Sequence, residues 1–343
     1  MRLAVDVMGG DHGPEELLQG VKLALAAEPG VVELYVVGPK PDLEAACSRI
    51  GLTDPRLKIH HASEVLSMED DPGLAVRRKK DSSLLRAIEL VREGAADAVI
   101  SSGNTGGLLA GATIRLGRLK GVRRPALACI LPTLKGAWVL IDGGANPEGN
   151  PEMLLQFAIM GSAYSRAMLG VESPRVGVLS NGSEDAKGNE LTRATVALIR
   201  KTDLNCAGYC EGYDLFLDGV DVAVCDGFVG NIVLKSAESL GKAVRAMLKE
   251  ELTSHWIRML GAKLAEGGLR RIAARMNPEV YGGALLLGLD GCAVKIHGGA
   301  KRDTLRHAIS QTRRFVELQL NDAIVRDIAR FSAPEPAAPA GPT

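Results

Sequence analysis

The feature that most limits the fold is a regular alternation of two kinds of segment. Short apolar runs rich in β-branched residues are interpreted as strands: RLAVDV, VELYVVG, LKIHHA, ADAVIS, ALACIL, AWVLID, PRVGVLS and VDVAVCD. Between many of them, apolar residues recur at the three- and four-residue spacing of helices, over 14–27, 82–93, 151–168 and 190–200. This alternation predicts an α/β fold, with a mostly parallel sheet covered by helices.

The domain organisation follows from what the chain lacks. No internal repeat and no Gly/Ser-rich linker is found in the 343 residues, so we predict a single α/β domain over 1–330. The remaining segment, 331–343, is rich in Pro and Ala and has little apolar surface to bury. We expect this tail to be disordered.

Charge and cysteine content exclude several classes of protein. The 41 basic residues balance the 41 acidic residues, which argues against a general nucleic-acid binder. The six cysteines include no C-x-x-C pair, so reduced, buried thiols are favoured over disulfides or a zinc site. The chain enters its first strand at once and has no apolar run of about 18 residues, so a cytoplasmic location is expected.

Residues 231–276 interrupt the α/β alternation. Apolar residues recur there every four positions, at Val244, Leu248, Leu252, Trp256, Leu260 and Leu264. Basic residues surround them, at Lys242, Arg245, Lys249, Arg258, Lys263, Arg270, Arg271 and Arg275. This pattern predicts a long basic amphipathic helix or a helical hairpin. Its apolar side suits either another protein surface, such as a dimer mate, or lipid.

Six loops that follow predicted strands or strand-like runs are rich in Gly, Asn and Asp. They are DVMGGDHGPEE (6–16), ISSGNTGGLLAG (100–111), IDGGANPEGNPE (141–152), NGSEDAKGNE (181–190), CDGFVGNIVLKS (225–236) and KIHGGAKRD (295–303). The carboxyl ends of parallel strands share one edge of a sheet, so we expect all six loops to meet in one crevice. Glycines and helix starts at such an edge favour an anion, and the predicted ligand therefore carries phosphate.

Common nucleotide and hydrolase motifs are missing from the chain. No two glycines are spaced two apart, which rules out G-x-G-x-x-G, and no G-x-x-x-x-G-K-[ST], G-x-S-x-G or H-E-x-x-H occurs. An ordinary Rossmann dehydrogenase, a Walker-type ATPase and an α/β-hydrolase are therefore disfavoured. No cofactor and no metal are expected.

Six quoted segments together resemble one family. They are DVMGGDHGP, SSGNTGGLLAGA, IDGGANPE, SEDAKGNE, DGFVGNIVLKSAE and GALLLGLDGCAVKIHGGAKRD, and they occur in order over 2–310. The sequence resembles the bacterial phosphate acyltransferases of the PlsX family, which transfer a fatty acyl chain from acyl carrier protein to inorganic phosphate. The resemblance implies a Rossmann-like α/β/α sandwich, related to phosphotransacetylases and the isocitrate-dehydrogenase-like group, that acts as a homodimer.

The resemblance also implies cellular partners. The acyl phosphate product would feed a membrane glycerol-3-phosphate acyltransferase in phospholipid (phosphatidic acid) synthesis. A helical projection over 240–276 would contact an anionic membrane peripherally. Acyl carrier proteins are acidic as well, so the arginines at 270, 271 and 275 suit either an acidic membrane or the acidic carrier.

Two residues are implied at the active site by the resemblance, Lys187 and Asn231. A lysine binds phosphate as a point charge, and the Asn231 amide, near a helix start, suits donation to phosphate or to an oxyanion. The other candidates for phosphate binding are Gly9, Gly10, Asp11, Ser102, Gly103, Asn104, Thr105, Gly106, Asp142, Asn146, Gly230 and His297. The alternative for Lys187 is a solvated lysine paired with Glu184 or Glu190, and for the others a turn or cap role.

Three other functions remain open on the sequence. A phosphotransacetylase that uses short acyl-CoA would share the fold and the anion site. A metal- and NAD-dependent decarboxylating dehydrogenase would need an acidic metal cluster, which the sequence does not provide. A non-catalytic membrane scaffold would depend on the amphipathic segment alone and would leave the six loops unexplained.

Overall fold

The computed structural model describes residues 1–184, 186–276 and 281–332. Its strands are β1 Arg2–Asp6, β2 Glu33–Gly38, β3 Leu57–His61, β4 Ala98–Ser101, β5 Ala126–Pro132, β6 Ala137–Ile141, β7 Val176–Leu179, β8 Cys206–Cys210, β9 Val222–Val224, β10 Ala284–Leu287 and β11 Cys292–Lys295. Its helices are α1 Pro14–Ala27, α2 Lys40–Ile50, α3 Pro72–Arg78, α4 Ser83–Arg92, α5 Thr105–Arg115, α6 Pro151–Leu169, α7 Glu190–Ile199, α8 Gly227–Thr253, α9 Trp256–Leu264, α10 Glu266–Arg275, α11 Arg302–Glu317 and α12 Leu320–Ser332.

The strands form one sheet in the order β3-β2-β1-β4-β11-β10-β5-β6-β9-β7-β8. Strands β3, β2, β1, β4 and β11 are parallel to one another, and so are β6, β9, β7 and β8. Between these two blocks, β10 is antiparallel to β11 and β5, and β5 is antiparallel to β6. The second parallel block therefore runs opposite to the first. The predicted α/β fold with a mostly parallel sheet is confirmed.

This reversal corrects one expectation about the loops. The loops after β1, β4 and β11 belong to the first block, and those after β6, β7 and β9 belong to the second. The first three loops therefore leave the sheet at one edge, and the other three leave it at the opposite edge. The prediction of a single common edge was wrong because it took every strand to be parallel.

The core is built on both faces of the sheet, and α6 shows how the sequence sets it. The side chain of Asn150 caps this helix by accepting a hydrogen bond from the Met153 N–H at 2.9 Å, and Gly170 ends it in the left-handed region at φ 71°. Phe157 and Tyr164 of α6 are fully buried in the core. Burying a side chain such as Phe157 stabilises the fold by about 1.5–3 kcal/mol.

The helical segment expected at 240–276 is present as three helices, α8, α9 and α10. Neither α9 nor α10 has a buried residue among those described. The apolar residues expected to form the stripe are mostly exposed, and Trp256 is 66% exposed. Helix α8 spans 27 residues, or about 40 Å, so the segment projects from the α/β body.

Two further observations concern the C-terminal helix and the possibility of a membrane-spanning helix. Helix α12 extends to Ser332, and the remainder of the predicted tail, 333–343, lies outside the described residues. Across the described ranges, no helix combines the length and the apolar content that crossing a bilayer requires.

Candidate active site

Helix α8 brings the two sets of loops to one surface. We call the loops after β1, β4 and β11 the first loop group, and those after β6, β7 and β9 the second loop group. Near its start, α8 contacts the second group, since a Cβ added at Gly144 would lie 3.3 Å from the Asn231 Cβ. Further along, Glu238 lies 3.8 Å from His297 Nε2 in the first group. Seven helical residues span about 10 Å, so both loop groups border the first turns of α8.

Asp142 organises the second loop group from within. Its Oδ1 accepts hydrogen bonds from the N–H groups of Leu127, Gly144 and Ala145 at 3.0, 3.1 and 2.9 Å. Its Oδ2 accepts from the backbone N–H and the side-chain amide of Asn146 at 2.7 and 2.8 Å. Burial raises the pKa of the Asp142 carboxyl, and these donors oppose the rise. The carboxylate is thus occupied in holding its own loop.

Asn146 connects this loop to its neighbours. Its side-chain amide nitrogen donates to the Pro125 carbonyl at 2.8 Å as well as to Asp142. Its backbone carbonyl accepts from the Gly227 N–H at 2.7 Å. The residue therefore fixes the start of α8 against the loop after β6. A direct contact of Asp142 or Asn146 with substrate stays a prediction.

The start of α8 differs from the expected anion site. The Asp226 side chain caps the helix by accepting from the Val229 N–H at 2.9 Å, and the Asp226 carbonyl accepts from the Gly230 N–H at 3.0 Å. Several N–H groups of the first turn are thus already bonded within the protein. Asn231 lies one turn inside the helix and is exposed, so its side-chain amide is the group offered to a ligand.

Lys187 lies in the exposed loop between β7 and α7. The loop is held by hydrogen bonds from the Lys187 N–H to the Glu184 carbonyl at 2.9 Å and from the Gly188 N–H to Asn181 Oδ1 at 3.0 Å. Within the described part of the chain, no ion pair involves the Lys187 ammonium, and no hydrogen bond joins it to Asn231. The alternative of a lysine neutralised by Glu184 or Glu190 is therefore not what the structure shows.

Three glycines allow the first loop group to close up. A Cβ added at Gly9 would lie 2.4 Å from the Gly103 Cα, and one added at Gly10 would lie 3.1 Å from Ser102 Oγ. The loops after β1 and β4 therefore pack backbone against backbone at Gly9 and Gly103, and Gly10 lies against the Ser102 hydroxyl. Asp11 joins the third loop of the group through its N–H, which donates to a carbonyl in the loop after β11 at 2.9 Å.

Asn104 and Gly106 have structural partners in this group. The Asn104 side chain caps α5 and donates to the carbonyls of Met68 and Asp70 at 3.3 and 3.2 Å. A Cβ added at Gly106 would lie 2.6 Å from Pro72 of α3. These two residues hold the segment before α3 against α5, which sequence spacing did not indicate.

Thr105 and His297 lie at the margin of the first loop group. Thr105 opens α5 and is half-buried. His297 Nδ1 accepts from the Gly299 N–H at 3.1 Å, while its Nε2 faces Glu238 of α8. His297 thereby forms a contact between this group and α8.

Lys295 was missed by the sequence analysis although it ends β11 inside a quoted segment. It is only 8% exposed, and its Nζ donates to the carbonyl of Ser102 at 3.2 Å and to that of Ile296. Burial lowers its pKa to about 8, against the opposing effect of Asp6 and Asp11. The signal was available, because a lysine in the apolar run CAVKIH is unusual.

Two further buried polar groups lie beside Lys295. The Ser102 hydroxyl is fully buried and, within the described residues, has no hydrogen-bond partner. The Asp6 carboxyl accepts from the Ser101 hydroxyl at 2.8 Å and from the Met8 N–H at 3.2 Å, and burial raises its pKa. The first loop group thus contains buried polar side chains, whereas the second presents the exposed Lys187 cation and the exposed Asn231 amide.

Comparison with known proteins gives a near full-length match. The family model described as "Fatty acid synthesis protein" matches residues 1–323. A phosphate acyltransferase of Desulfitobacterium hafniense (strain DSM 10664 / DCB-2) is 43% identical over 334 residues, covering 97% of this chain and 99% of that protein. A phosphate acyltransferase of Pelotomaculum thermopropionicum is 44% identical over 324 residues, covering 94% of each.

Solved structures with a similar fold are more distant in sequence. A phosphotransacetylase from Streptococcus pyogenes superposes with a TM-score of 0.60 at 16% identity, covering 92% of this chain and 94% of that chain. The EutD phosphotransacetylase from Staphylococcus aureus gives a TM-score of 0.59 at 17% identity, covering 91% and 94%. At these identities the likeness concerns the fold, and the predicted relation to phosphotransacetylases is confirmed at that level.

Proposed function

Because the chain belongs to the fatty acid synthesis protein family, whose curated relatives are phosphate acyltransferases, we propose that it takes its acyl group from acyl carrier protein. Acyl transfer to phosphate follows from the family itself. The observation that carries the proposal is the family match over residues 1–323, which ties acyl transfer to fatty acid synthesis. The product would be a fatty acyl phosphate for phospholipid synthesis.

The reaction asks little of the protein in proton transfer. A phosphate oxygen attacks the thioester carbonyl carbon, a C–O bond forms, and the C–S bond breaks to release the carrier thiolate. Inorganic phosphate is already an anion near pH 7, so it carries negative charge without the help of a general base. A thiol with a pKa of about 8.5 departs without a strong general acid. Positioning of the anion and stabilisation of the charge that develops on the carbonyl oxygen are the remaining tasks.

Lys187 and Asn231 suit these two tasks. Both are exposed in the second loop group, and the Lys187 ammonium has no ion pair among the described residues, so its charge is available to phosphate. The Asn231 side chain lies against Gly144, where its amide can donate to phosphate or to the oxyanion. We assign Lys187 to phosphate binding and Asn231 to stabilisation of the developing charge.

The projecting helices supply the proposed contacts with other molecules. The exposed apolar residues of α8 and α9 favour a homodimer or the surface of an anionic membrane, and the basic residues around them favour the membrane. We propose a cytoplasmic enzyme that associates peripherally with the membrane, where a glycerol-3-phosphate acyltransferase would use its product.

One experiment tests the donor and the acceptor together. The protein is mixed with inorganic phosphate and either palmitoyl-acyl carrier protein or short- and long-chain acyl-CoA, and the products are analysed by mass spectrometry. Acyl phosphate formed faster from the carrier protein is the expected result. A clear preference for short acyl-CoA would instead support a phosphotransacetylase, the activity named for two proteins of similar fold. Absence of acyl phosphate with every donor would contradict both.

A further inference from the structure

A basic run beside the first loop group has no role in the site described above. Helix α3 and the residues after it read PGLAVRRKK, and Arg77, Arg78 and Lys80 are exposed there. Within the described ranges, no salt bridge involves these three side chains. They are a local excess of positive charge in a chain whose net charge is zero.

Two of the carboxylates that flank the run already have ion-pair partners. Asp70 pairs with Lys79 at 2.5 Å, and Asp81 pairs with Arg86 at 2.6 Å. Lys79 also donates to the Val65 carbonyl at 3.0 Å, so this one member of the run turns inward. Its neighbours are left to face outward and to attract an anionic partner.

The framework of α3 is well fixed and offers an apolar contact as well. Asp71 caps the helix by accepting from the Leu74 N–H at 2.8 Å, and Ala75 and Val76 are buried against the body. Leu74 is 51% exposed on the same short helix. A rigid surface that combines cations with an exposed leucine suits a protein partner that is acidic and partly apolar.

The position of this surface links it to the site. Met68, just before α3, accepts from the Asn104 amide in the first loop group, and a Cβ added at Gly298 would lie 2.9 Å from the Met68 Cε. Pro72 packs against Gly106. The start of α3 therefore contacts the first loop group, and the basic residues lie at the other end of this 7-residue helix. A carrier docked here would have only to deliver its acyl thioester across those loops.

The alternative basic surface on the projection is partly neutralised. Arg270 pairs with Glu266 at 2.5 Å, and Arg258 pairs with Glu251 at 2.5 Å. We propose that Leu74, Arg77, Arg78 and Lys80, the α3 surface, form the docking site for the acidic carrier protein that brings the acyl thioester. This inference rests on the proposed function, because it takes the carrier protein to be the donor.

The test compares two charge reversals of equal size. Arg77→Glu/Arg78→Glu/Lys80→Glu changes the α3 surface, and Arg270→Glu/Arg271→Glu/Arg275→Glu is the matched control on α10. Steady-state kinetics give KM for palmitoyl-acyl carrier protein and for phosphate, and fluorescence anisotropy gives the Kd for unacylated holo-carrier at low and high salt. Thermal denaturation and circular dichroism establish that both variants fold, and the milder Arg77→Gln/Arg78→Gln/Lys80→Gln serves if the reversal does not.

The expected result is selective loss of carrier recognition. The α3 reversal should raise the carrier KM and the carrier Kd at least tenfold at low salt, remove most of the salt dependence of binding, and leave the phosphate KM within twofold. The α10 reversal should leave carrier binding unchanged. An unchanged carrier Kd in the α3 variant, or a larger loss in the α10 variant, would overturn the docking site. Wild-type protein that makes no acyl phosphate from the carrier would instead refute the proposed function, whatever the variants do.

Discussion

Gly230 lies so close to the backbone of Asp142 that a Cβ at residue 230 would be 1.8 Å from the Asp142 carbonyl oxygen. Helix α8 therefore meets the loop after β6 backbone to backbone at this point. The next residue of α8 is Asn231, so the same contact sets where the proposed catalytic amide stands relative to the second loop group.

Replacing this glycine tests the contact. Gly230→Ala should lower the free energy of unfolding by about 1–3 kcal/mol, because the added methyl group cannot fit unless α8 moves. The movement displaces Asn231, and turnover should fall at least tenfold. Gly241→Ala is the matched control in α8, since a Cβ there meets nothing within 4 Å, and it should leave stability unchanged or raise it by up to about 1 kcal/mol. Equal behaviour of the two variants in urea denaturation would show that the contact is not tight.

Lys187→Ala should reduce turnover by about 10²-fold or more while the protein folds normally. The ammonium contributes to no ion pair within the described residues, so its removal costs binding charge and little stability. Initial rates at varied phosphate give kcat and KM, and Lys201→Ala, another exposed lysine, is the control. Near-wild-type rates in the Lys187 variant would remove it from the site.

Asn231→Ala should cost a comparable factor, with the loss in kcat if the amide stabilises charge that develops only in the transition state. The residue is exposed and lies beyond the capped first turn, so unfolding should be little affected. Parallel measurement of kcat and of the urea midpoint separates the roles. A variant that lost stability but kept its kcat would be structural only.

The burial of Lys295 leads to a prediction about how the stability of the protein depends on pH. Its folded-state pKa of about 8 lies below the ordinary value of 10.5, so between these limits the unfolded chain keeps a proton that the folded protein has lost. Stability due to Lys295 therefore rises with pH over that window, by up to about 3 kcal/mol in total. At pH 7 the buried cation lowers the free energy of unfolding, so the Lys295→Met variant should be more stable than wild type.

The measurement compares Lys295→Met with wild type by urea denaturation from pH 7 to pH 10.5. The advantage of the variant should shrink steadily above about pH 8, whereas Lys201→Met, an exposed control, should show no such trend. A constant difference in the free energy of unfolding across this pH range would show that Lys295 is solvated or held in a strong ion pair.

How much of this fold the sequence predicts depends on the connections between strands. The eight predicted strands and the four predicted helical segments all occur, because their apolar spacing is set locally. Two of the three antiparallel pairings that reverse the sheet could also be predicted from connection length. Residues 133–136 alone separate β5 from β6, and 288–291 alone separate β10 from β11, which is too short for a parallel crossover. The third antiparallel contact, between β10 and β5, joins segments far apart in the chain, so only the assembled sheet shows that the loops leave it at two edges.

The site was predicted less completely, since many of its glycines and amides serve long-range packing. Gly106 is required by Pro72, and Asn104 by the carbonyls of Met68 and Asp70, residues that no local motif associates. Lys295 was overlooked because a lysine at a strand end is usually solvated, although its apolar neighbours in CAVKIH pointed to the burial that the assembled sheet shows.

The projecting helices give the last prediction. Trp256 and Leu260 are 66% and 54% exposed on α9, and each would gain about 1.5–3 kcal/mol on burial in lipid or against a partner chain. Trp256→Ser/Leu260→Ser should therefore weaken binding to anionic vesicles at least tenfold or dissociate the dimer, while the phosphate KM stays unchanged.

Two measurements identify which surface α9 serves. Vesicle co-sedimentation reports lipid binding, and sedimentation velocity reports the dimer. The α10 reversal at Arg270, Arg271 and Arg275 should weaken lipid binding only, because those charges suit anionic headgroups. Leu23→Ser/Val32→Ser removes two exposed apolar side chains from the α/β body and is the matched control. If the α9 variant stayed dimeric and bound vesicles as wild type does, the exposed apolar residues of the projection would have neither role. Loss of vesicle binding with the dimer intact would instead identify α9 as the element that holds the enzyme at the membrane, where an acyl phosphate with a long chain partitions.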